Sequence, residues 1–404
     1  MKRMLLMFVC GLLCLSSFGQ DGPVKLQIPA GEKGYSIRGE VANAKDGMQV
    51  FLLNDMVWPI VNIDTVVIKD GKFLFTGYVE YPLLLKVVID SGNGDEDGWL
   101  ATAFYLENSD ISFVADINTL QGYYYDPDAT GKVPAEIKGS KEQDLFMRFE
   151  KEQKPLRDQK QTLADKYFEY VENPANNIEG AIPMMQQMNE NERAIRNLRL
   201  KYIRQNPGTG VAIDLLGWEI KNTIYINYTS QQLAQLEELM VKANPKRANE
   251  LREWFARAEN TAIGQKFPDM ELKNTDGKIV KLSDYIPEGK YVIIDFWMSG
   301  CGPCRGETPH MKEVYEKFKD KGLVVISIAA EPEIKDWLKA VKEENMPWTQ
   351  LYDWREIEDK DGIYGKFNII GFPTCILLDR EGHFFKTDMR GANMEIILQE
   401  IFGK

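Results

Sequence analysis

The chain has 404 residues, 44% of them apolar and 27% charged, with 49 basic against 61 acidic side chains and a formal net charge of −12. This length exceeds one ordinary core and predicts two or three domains, and the spread of apolar and aromatic residues excludes a disordered or fibrous chain. The acidic balance excludes a partner held through its phosphate backbone, so no nucleic acid is expected.

Lys2 and Arg3 precede an apolar run over residues 4–15 and small residues at Ser17 and Gly19. This is the pattern of a signal peptide, residues 1–19, cleaved near Gly19-Gln20. The run falls short of the roughly 20 residues a membrane span needs. Cys10 and Cys14 lie within it, and neither follows the small residues of a lipoprotein cysteine. Cys301, Cys304 and Cys375 remain beyond it, too few for a disulfide-stapled scaffold although export permits one.

Residues 20–139 read as a β-rich domain. Apolar runs at 35–41, 48–53, 65–68, 73–75, 83–89 and 111–114 alternate with turn signals, Asp70-Gly71 among them. A small antiparallel sandwich or barrel with a hairpin at Asp70-Gly71 is expected. The acidic, glycine-bounded segment 92–98 reads as a solvated loop, because it lacks the spacing of an EF-hand.

Residues 140–260 read as a helical linker domain. Leu233, Leu236, Leu239 and Met240 recur at helical spacing behind Ser230, the expected N-cap. Asn-Pro pairs at 173–174, 206–207 and 244–245 divide the region into three helical stretches. Its expected role is a spacer packed on its neighbours, which helps to form a homodimer.

Residues 261–404 turn to an α/β pattern. Apolar runs at 291–297, 323–329 and 374–378 suit buried strands, helices follow Cys301, Pro332 and Gly391, and Phe384-Phe385 suggests a closing hairpin strand. In Ile294-Asp295-Phe296-Trp297-Met298-Ser299-Gly300-Cys301-Gly302-Pro303-Cys304-Arg305 a buried strand ends and a CxxC pair opens a helix. Unpaired N–H groups and the dipole at a helix start favour an anion, which lowers the pKa of the Cys301 thiol and makes it the attacking group. Cys304, one turn on, reaches Cys301, so a mixed disulfide with a substrate is resolved internally.

CGPC after Asp-Phe-Trp, with Phe-Pro-Thr opening a later strand, resembles the thioredoxin superfamily over about residues 263–404, in particular its exported TlpA and ResA branch. The resemblance implies that Asp295 takes and returns the proton of Cys304, a role suited to a buried carboxylate of raised pKa. It implies that Pro309 kinks the active-site helix and that Pro373 is cis and packs against Cys301. Phe372 is then to offer backbone to an extended substrate, with Gly302, Pro303 and Thr374 completing the substrate-binding set. Pro268-Asp269, Asp276-Gly277 and Leu282-Ser283 match the branch's amino-terminal hairpin, and Glu331 falls where the branch places a cavity glutamate, a candidate for proton transfer. Gly300 departs from the pattern, because thioredoxins carry a tryptophan there. Altered docking with intact chemistry is expected. Upstream, the arrangement resembles Gram-negative envelope proteins in which a β-rich domain of unknown function precedes a TlpA-type domain.

The expected protein is therefore multidomain: a β-sandwich-like domain, a helical middle and a thioredoxin fold. Its expected activity is periplasmic thiol-disulfide exchange, as a reductase because its Gly-Pro insert is that of thioredoxin. No cofactor beyond the cysteine pair is expected. Electrons would come from a membrane thiol donor and pass to envelope protein disulfides. A zinc site would have to draw on Cys375, His310 or His383 and is not favoured. Cys375 is expected as an inert core thiol beneath the site, and His310 on the helix surface. One alternative is a thiol peroxidase, for which Met298 and Cys301 stand where a threonine is needed. The other is an envelope binding protein with a vestigial redox pair.

Overall fold

The computed structural model describes residues 26–57, 59–92, 98–124, 130–173, 177–331, 333–356 and 359–403. The expected signal peptide with Cys10 and Cys14, most of the 92–98 loop, Pro174 and Pro332 lie outside them. The chain divides into two compact units, one ending at Arg148 and one beginning at Phe149. Among the described residues no helix is long and apolar enough to cross a membrane.

The first unit holds strands β1 (Tyr35–Ala42), β2 (Gln49–Asn54), β3 (Val61–Val67), β4 (Lys72–Gly77), β5 (Leu83–Asp90), β6 (Trp99–Leu106), β7 (Asp110–Asp116) and β8 (Glu136–Lys138). They form two four-stranded sheets in the orders β4-β1-β7-β8 and β3-β2-β5-β6. Strand β4 alternates strictly, with Phe73, Phe75 and Gly77 buried and Lys72, Leu74 and Thr76 exposed, as a sheet with one wet face requires. Ile37, Phe75 and Phe113 from one sheet meet Leu52, Leu85 and Phe104 from the other in a single core, each fully buried side chain contributing about 2 kcal/mol. Two features differ from the sequence reading. Asp70 and Gly71 both have positive φ, 50° and 69°, and the turn is closed by Lys69 and Lys72, as in a two-residue hairpin loop. The strands on either side belong to different sheets, however, so this turn makes a corner between them. The sandwich is also not wholly antiparallel, because β1 and β7 run parallel.

Helix α1 (Lys141–Val171) begins in the first unit and continues into the second. It is followed by α2 (Ile182–Gln205), α3 (Gly210–Lys221), α4 (Ser230–Ala243), α5 (Pro245–Glu250) and α6 (Arg252–Asn260), so six helices stand among the described residues where three stretches were expected. The pairs at 206–207 and 244–245 do mark boundaries: Asn206 ends α2, and Asn244 caps α5 with Pro245 as its first residue. The cap of α4 is Thr229 and not Ser230. Its hydroxyl accepts from Gln232 N at 3.3 Å while Gln232 Oε1 accepts from Thr229 N at 3.0 Å, a reciprocal capping box.

The rest of the second unit is one seven-stranded sheet flanked by helices. Its elements are β9 (Glu271–Asn274), β10 (Ile279–Lys281), β11 (Tyr291–Trp297), α7 (Gly302–Phe318), β12 (Leu323–Ala330), α8 (Ile334–Glu344), β13 (Thr349–Asp353), α9 (Ile363–Lys366), β14 (Thr374–Leu378), β15 (Phe384–Lys386) and α10 (Gly391–Phe402). The order is β10-β9-β13-β12-β11-β14-β15. Strand β11 lies inside the sheet, parallel to β12 and antiparallel to β14, and both its faces are covered. Val292, Ile294 and Phe296 enter one core cluster, and Ile293 packs with Met311, Val314 and Phe318 of α7 in another. Covering on both faces is why this strand reads as a continuous apolar run and why Asp295 within it is conspicuous.

Candidate redox site

The chain leaves the carboxyl end of β11 at Trp297 and enters α7 through Cys301. Cys301 has extended backbone, φ −82° and ψ 102°, and is the helix cap, its Sγ accepting from Cys304 N at 3.2 Å. Sulfur thus takes the place of a capping oxygen, where a thiolate formed on reduction meets the positive end of the helix. Cys301 and Cys304 are joined in a disulfide with their Cα atoms 5.3 Å apart. Gly302 and Pro303 are exposed beside it, and Pro309 lies inside α7.

The loop before β14 contains the cis peptide Phe372-Pro373. Half-buried Phe372 packs against the cluster that holds Trp297, Cys301 and Cys304. Thr374 is buried, and its hydroxyl donates to Gly371 O at 2.8 Å. Its side chain is therefore turned into its own loop, while Phe372 and the Gly302-Pro303 turn stay at the surface. On the other side of this loop stands Tyr225, whose hydroxyl is 3.4 Å from Thr374 Oγ1. Nearby, Asn368 Nδ2 donates to Thr223 Oγ1 at 3.0 Å and Thr387 N to Asn227 Oδ1 at 2.9 Å. Residues between α3 and α4 thus line the proline loop. They also wall a cleft of about 1350 Å³ that runs past Phe168, Trp218, Tyr225, Gly306, His310 and Gly391.

Asp295 keeps an accessible edge although protein atoms crowd it on every side. Burial pushes its pKa up, against the hydrogen bonds from Ser327 and Cys375, to about 6. Cys375 is fully buried, as expected of a core thiol, but it is not idle packing: its Sγ donates to Asp295 Oδ1 at 3.3 Å. Burial, then the charge of Asp295, raises its own pKa well above the usual thiol value.

Glu331 closes β12 and accepts both donors of Ser299, the backbone N–H and, at 2.7 Å, the hydroxyl. Its carboxylate therefore anchors the segment leading into Cys301, an attachment the sequence does not reveal because the partners lie on different strands' ends.

Glu307 is a residue the sequence reading passed over, and His310 is one it placed on the helix surface. Glu307 is three residues past Cys304 on α7, and its Oε1 accepts from Gly391 N at 2.8 Å and from the His310 ring at 3.2 Å. Burial acts to raise its pKa, yet the contacts with His310 outweigh that and lower it. Its charge reaches both Asp295 and Cys375; the signal was the three-residue spacing from Cys304, which puts both side chains on one helix face. His310 is not on a solvated surface. Its Nε2 lies 3.5 Å from Glu395 and its Nδ1 3.2 Å from Glu307. Burial opposes its charge, but the two carboxylates prevail and hold its pKa at about 9. His383 sits apart, in the β14–β15 turn beside Asp379. Among the described residues neither histidine joins the cysteines in a metal-ligating group.

Gly300 does not have a backbone that demands glycine, and a Cβ there would meet no atom within 4 Å. The space a larger residue would occupy before Cys301 is open.

Residues 263–384 match the AhpC/TSA family, and residues 35–146 match a domain of unknown function, DUF4369. The thiol-disulfide oxidoreductase ResA of one Bacillus cereus strain is 34% identical over 133 residues, which cover 32% of this chain and 70% of that protein. ResA of another Bacillus cereus strain is 29% identical over 152 residues, 37% of this chain and 83% of that protein. Among solved structures, the thioredoxin domain of a thiol-disulfide oxidoreductase from Bacteroides vulgatus is 32% identical, covering 35% of this chain and 98% of that one with a TM-score of 0.32.

Proposed function

The chain belongs, through its carboxy-terminal part, to the thioredoxin-like thiol-disulfide oxidoreductases of the ResA type, and from that membership we propose that it is an exported disulfide reductase acting on protein disulfides of the cell envelope. The observation that carries this reading is a cysteine pair capping a helix directly after the strand that holds a carboxylate of pKa about 6.

In the reduced enzyme, the Cys301 thiolate attacks one sulfur of a substrate disulfide. The substrate S–S bond breaks, its second sulfur leaves as a thiolate, and a mixed disulfide forms on Cys301. Cys304 then gives its proton to Asp295 and attacks Cys301 Sγ. The mixed disulfide breaks, the Cys301–Cys304 bond forms, and the first substrate sulfur leaves and is protonated. Two electrons have passed from enzyme to substrate. Asp295 with a pKa near 6 is ionised at neutral pH and ready to accept, yet basic enough to be a useful acceptor. The Gly302-Pro303 insert supports the reducing direction, since thioredoxin, with the same insert, has a potential of about −270 mV. The leader-like residues 1–19 support export, and a membrane thiol donor would return the enzyme to its dithiol form. No cofactor beyond the cysteine pair enters this cycle.

Phe372 would present its backbone to an extended substrate, with Gly302 and Pro303 beneath and Pro373 shaping the loop. Tyr225 extends that face with a residue of the helical region, which supports a part for the region in substrate recruitment beyond that of a spacer. The experiment is mixed-disulfide trapping with the full chain. Cys304→Ala is expected to hold substrate proteins covalently on Cys301, and Cys301→Ala to hold none. Trapping through Cys304, or by neither variant, overturns the assignment.

A further inference from the structure

Asp295 stands where three strands meet. It is in register with Ser327 on β12 and with Cys375 on β14, so the side chains of both neighbours reach the same face of the sheet. Ser327 Oγ donates to Asp295 Oδ2 at 2.8 Å, and Cys375 Sγ donates to Oδ1 at 3.3 Å. Behind Ser327, Trp348 Nε1 donates to Ser327 Oγ at 2.8 Å. An indole N–H only donates. Ser327 therefore spends a lone pair on Trp348, and its own hydrogen is left for Asp295. Ser327 and Cys375 are fully buried and Trp348 nearly so, which leaves these rotors no solvent to turn to.

We propose that Ser327 and Cys375 are positioning residues for Asp295, one donor on each carboxylate oxygen, and that together they set how tightly Asp295 holds the proton of Cys304. The inference rests on the proton-accepting role given to Asp295 above. The charged groups that act on Asp295 from the elements around it are Glu307 of α7 and Arg390 just before α10, with Cys375 the titratable group of β14; Ser327, from β12, is neutral. Each donor stabilises the ionised carboxylate, in opposition to burial. Removing either one makes Asp295 hold its proton to higher pH. Replacing the thiol, a weak donor, by a hydroxyl does the reverse.

The test uses the pre-reduced full chain and the small aromatic disulfide dithiobis-nitrobenzoate. The first coloured thiolate released reports attack by Cys301 and the second reports resolution by Cys304. The acid limb of the second release is expected to move up by roughly half a pH unit in Ser327→Ala and in Cys375→Ala, and down in Cys375→Ser. A packing defect alone would not shift the limb in opposite directions at one position. Cys375→Ser and Ser327→Cys, close in volume to the native residues, carry the test should an alanine variant fail to fold. Asp295→Asn separates the two levels of the argument. If it leaves the second-release profile as in the native protein, the role of Asp295 itself is wrong. If it abolishes the limb while the Ser327 and Cys375 variants keep the native midpoint, this inference is overturned and the role of Asp295 stands.

Discussion

The carboxylate of Glu331 takes both hydrogen-bond donors of Ser299, two residues before the cysteine that caps α7. A loop tied in this way carries Cys301 at a fixed height over the sheet, and the tie involves a charged acceptor, where such bonds are strongest. Glu331→Ala should slow disulfide exchange about tenfold, from loss of roughly 1.5 kcal/mol of positioning. Ser299→Ala, which keeps the backbone N–H bond, should slow it less. A residue that only ties down the loop, without acting on the Asp295 carboxylate, leaves the pH dependence of the reaction unchanged, whereas a shifted midpoint in Glu331→Ala would point to the proton-transfer role expected from its place in the sequence.

His310 makes stability depend on pH with a definite sign. Its folded pKa, about 9, lies above the ordinary histidine value of 6.5, so its pairs with Glu307 and Glu395 stabilise the fold fully below about pH 6.5. That contribution is lost as pH rises through about 9. Urea unfolding of the native chain and His310→Gln should differ by roughly 2 kcal/mol at pH 6 and converge above pH 9. An equal difference at both ends would mean that the ring acts by packing alone.

Tyr225 belongs to the helical region yet borders the proline loop through Thr374. With an extended peptide disulfide as substrate, Tyr225→Ala should raise KM several-fold and leave kcat near native, and Tyr225→Phe, which keeps the ring, should stay close to native. A fall in kcat at constant KM would assign the residue to the chemistry and not to docking.

Gly300 occupies open space, so Gly300→Trp should fold with stability within about 0.5 kcal/mol of native. The added ring should change partner choice among protein disulfides. Unchanged rates with every protein substrate would remove any docking significance from the glycine.

What the sequence makes legible here is local. CGPC after a buried strand, the aspartate six residues earlier and Phe-Pro-Thr before a later strand are each short patterns, and each falls where the fold places it. The β6 strand, Trp99–Leu106, escapes notice because alanine and threonine dilute its apolar run, and β13, Thr349–Asp353, because Gln350 and Asp353 interrupt it. Asp70-Gly71 reads correctly as a turn, but which sheet each flanking strand joins depends on β1 and β2, not on the turn. The surroundings of the site are hidden for the same reason. His310 meets Glu395 of α10, Ser327 meets Trp348 across a connection, and Asp295 meets Cys375 through strand pairing; no spacing rule joins residues so distant in the chain.

The most direct test of the reductase assignment is the redox equilibrium of the full chain in thiol buffers, read by the masses of alkylated peptides containing Cys301, Cys304 and Cys375. A reversible two-electron couple confined to Cys301 and Cys304 at about −270 mV, with Cys375 reduced throughout, is the predicted result. A couple at about −120 mV would make the protein an oxidant, and no reversible couple at all would leave the cysteine pair without a catalytic role; either outcome contradicts the account.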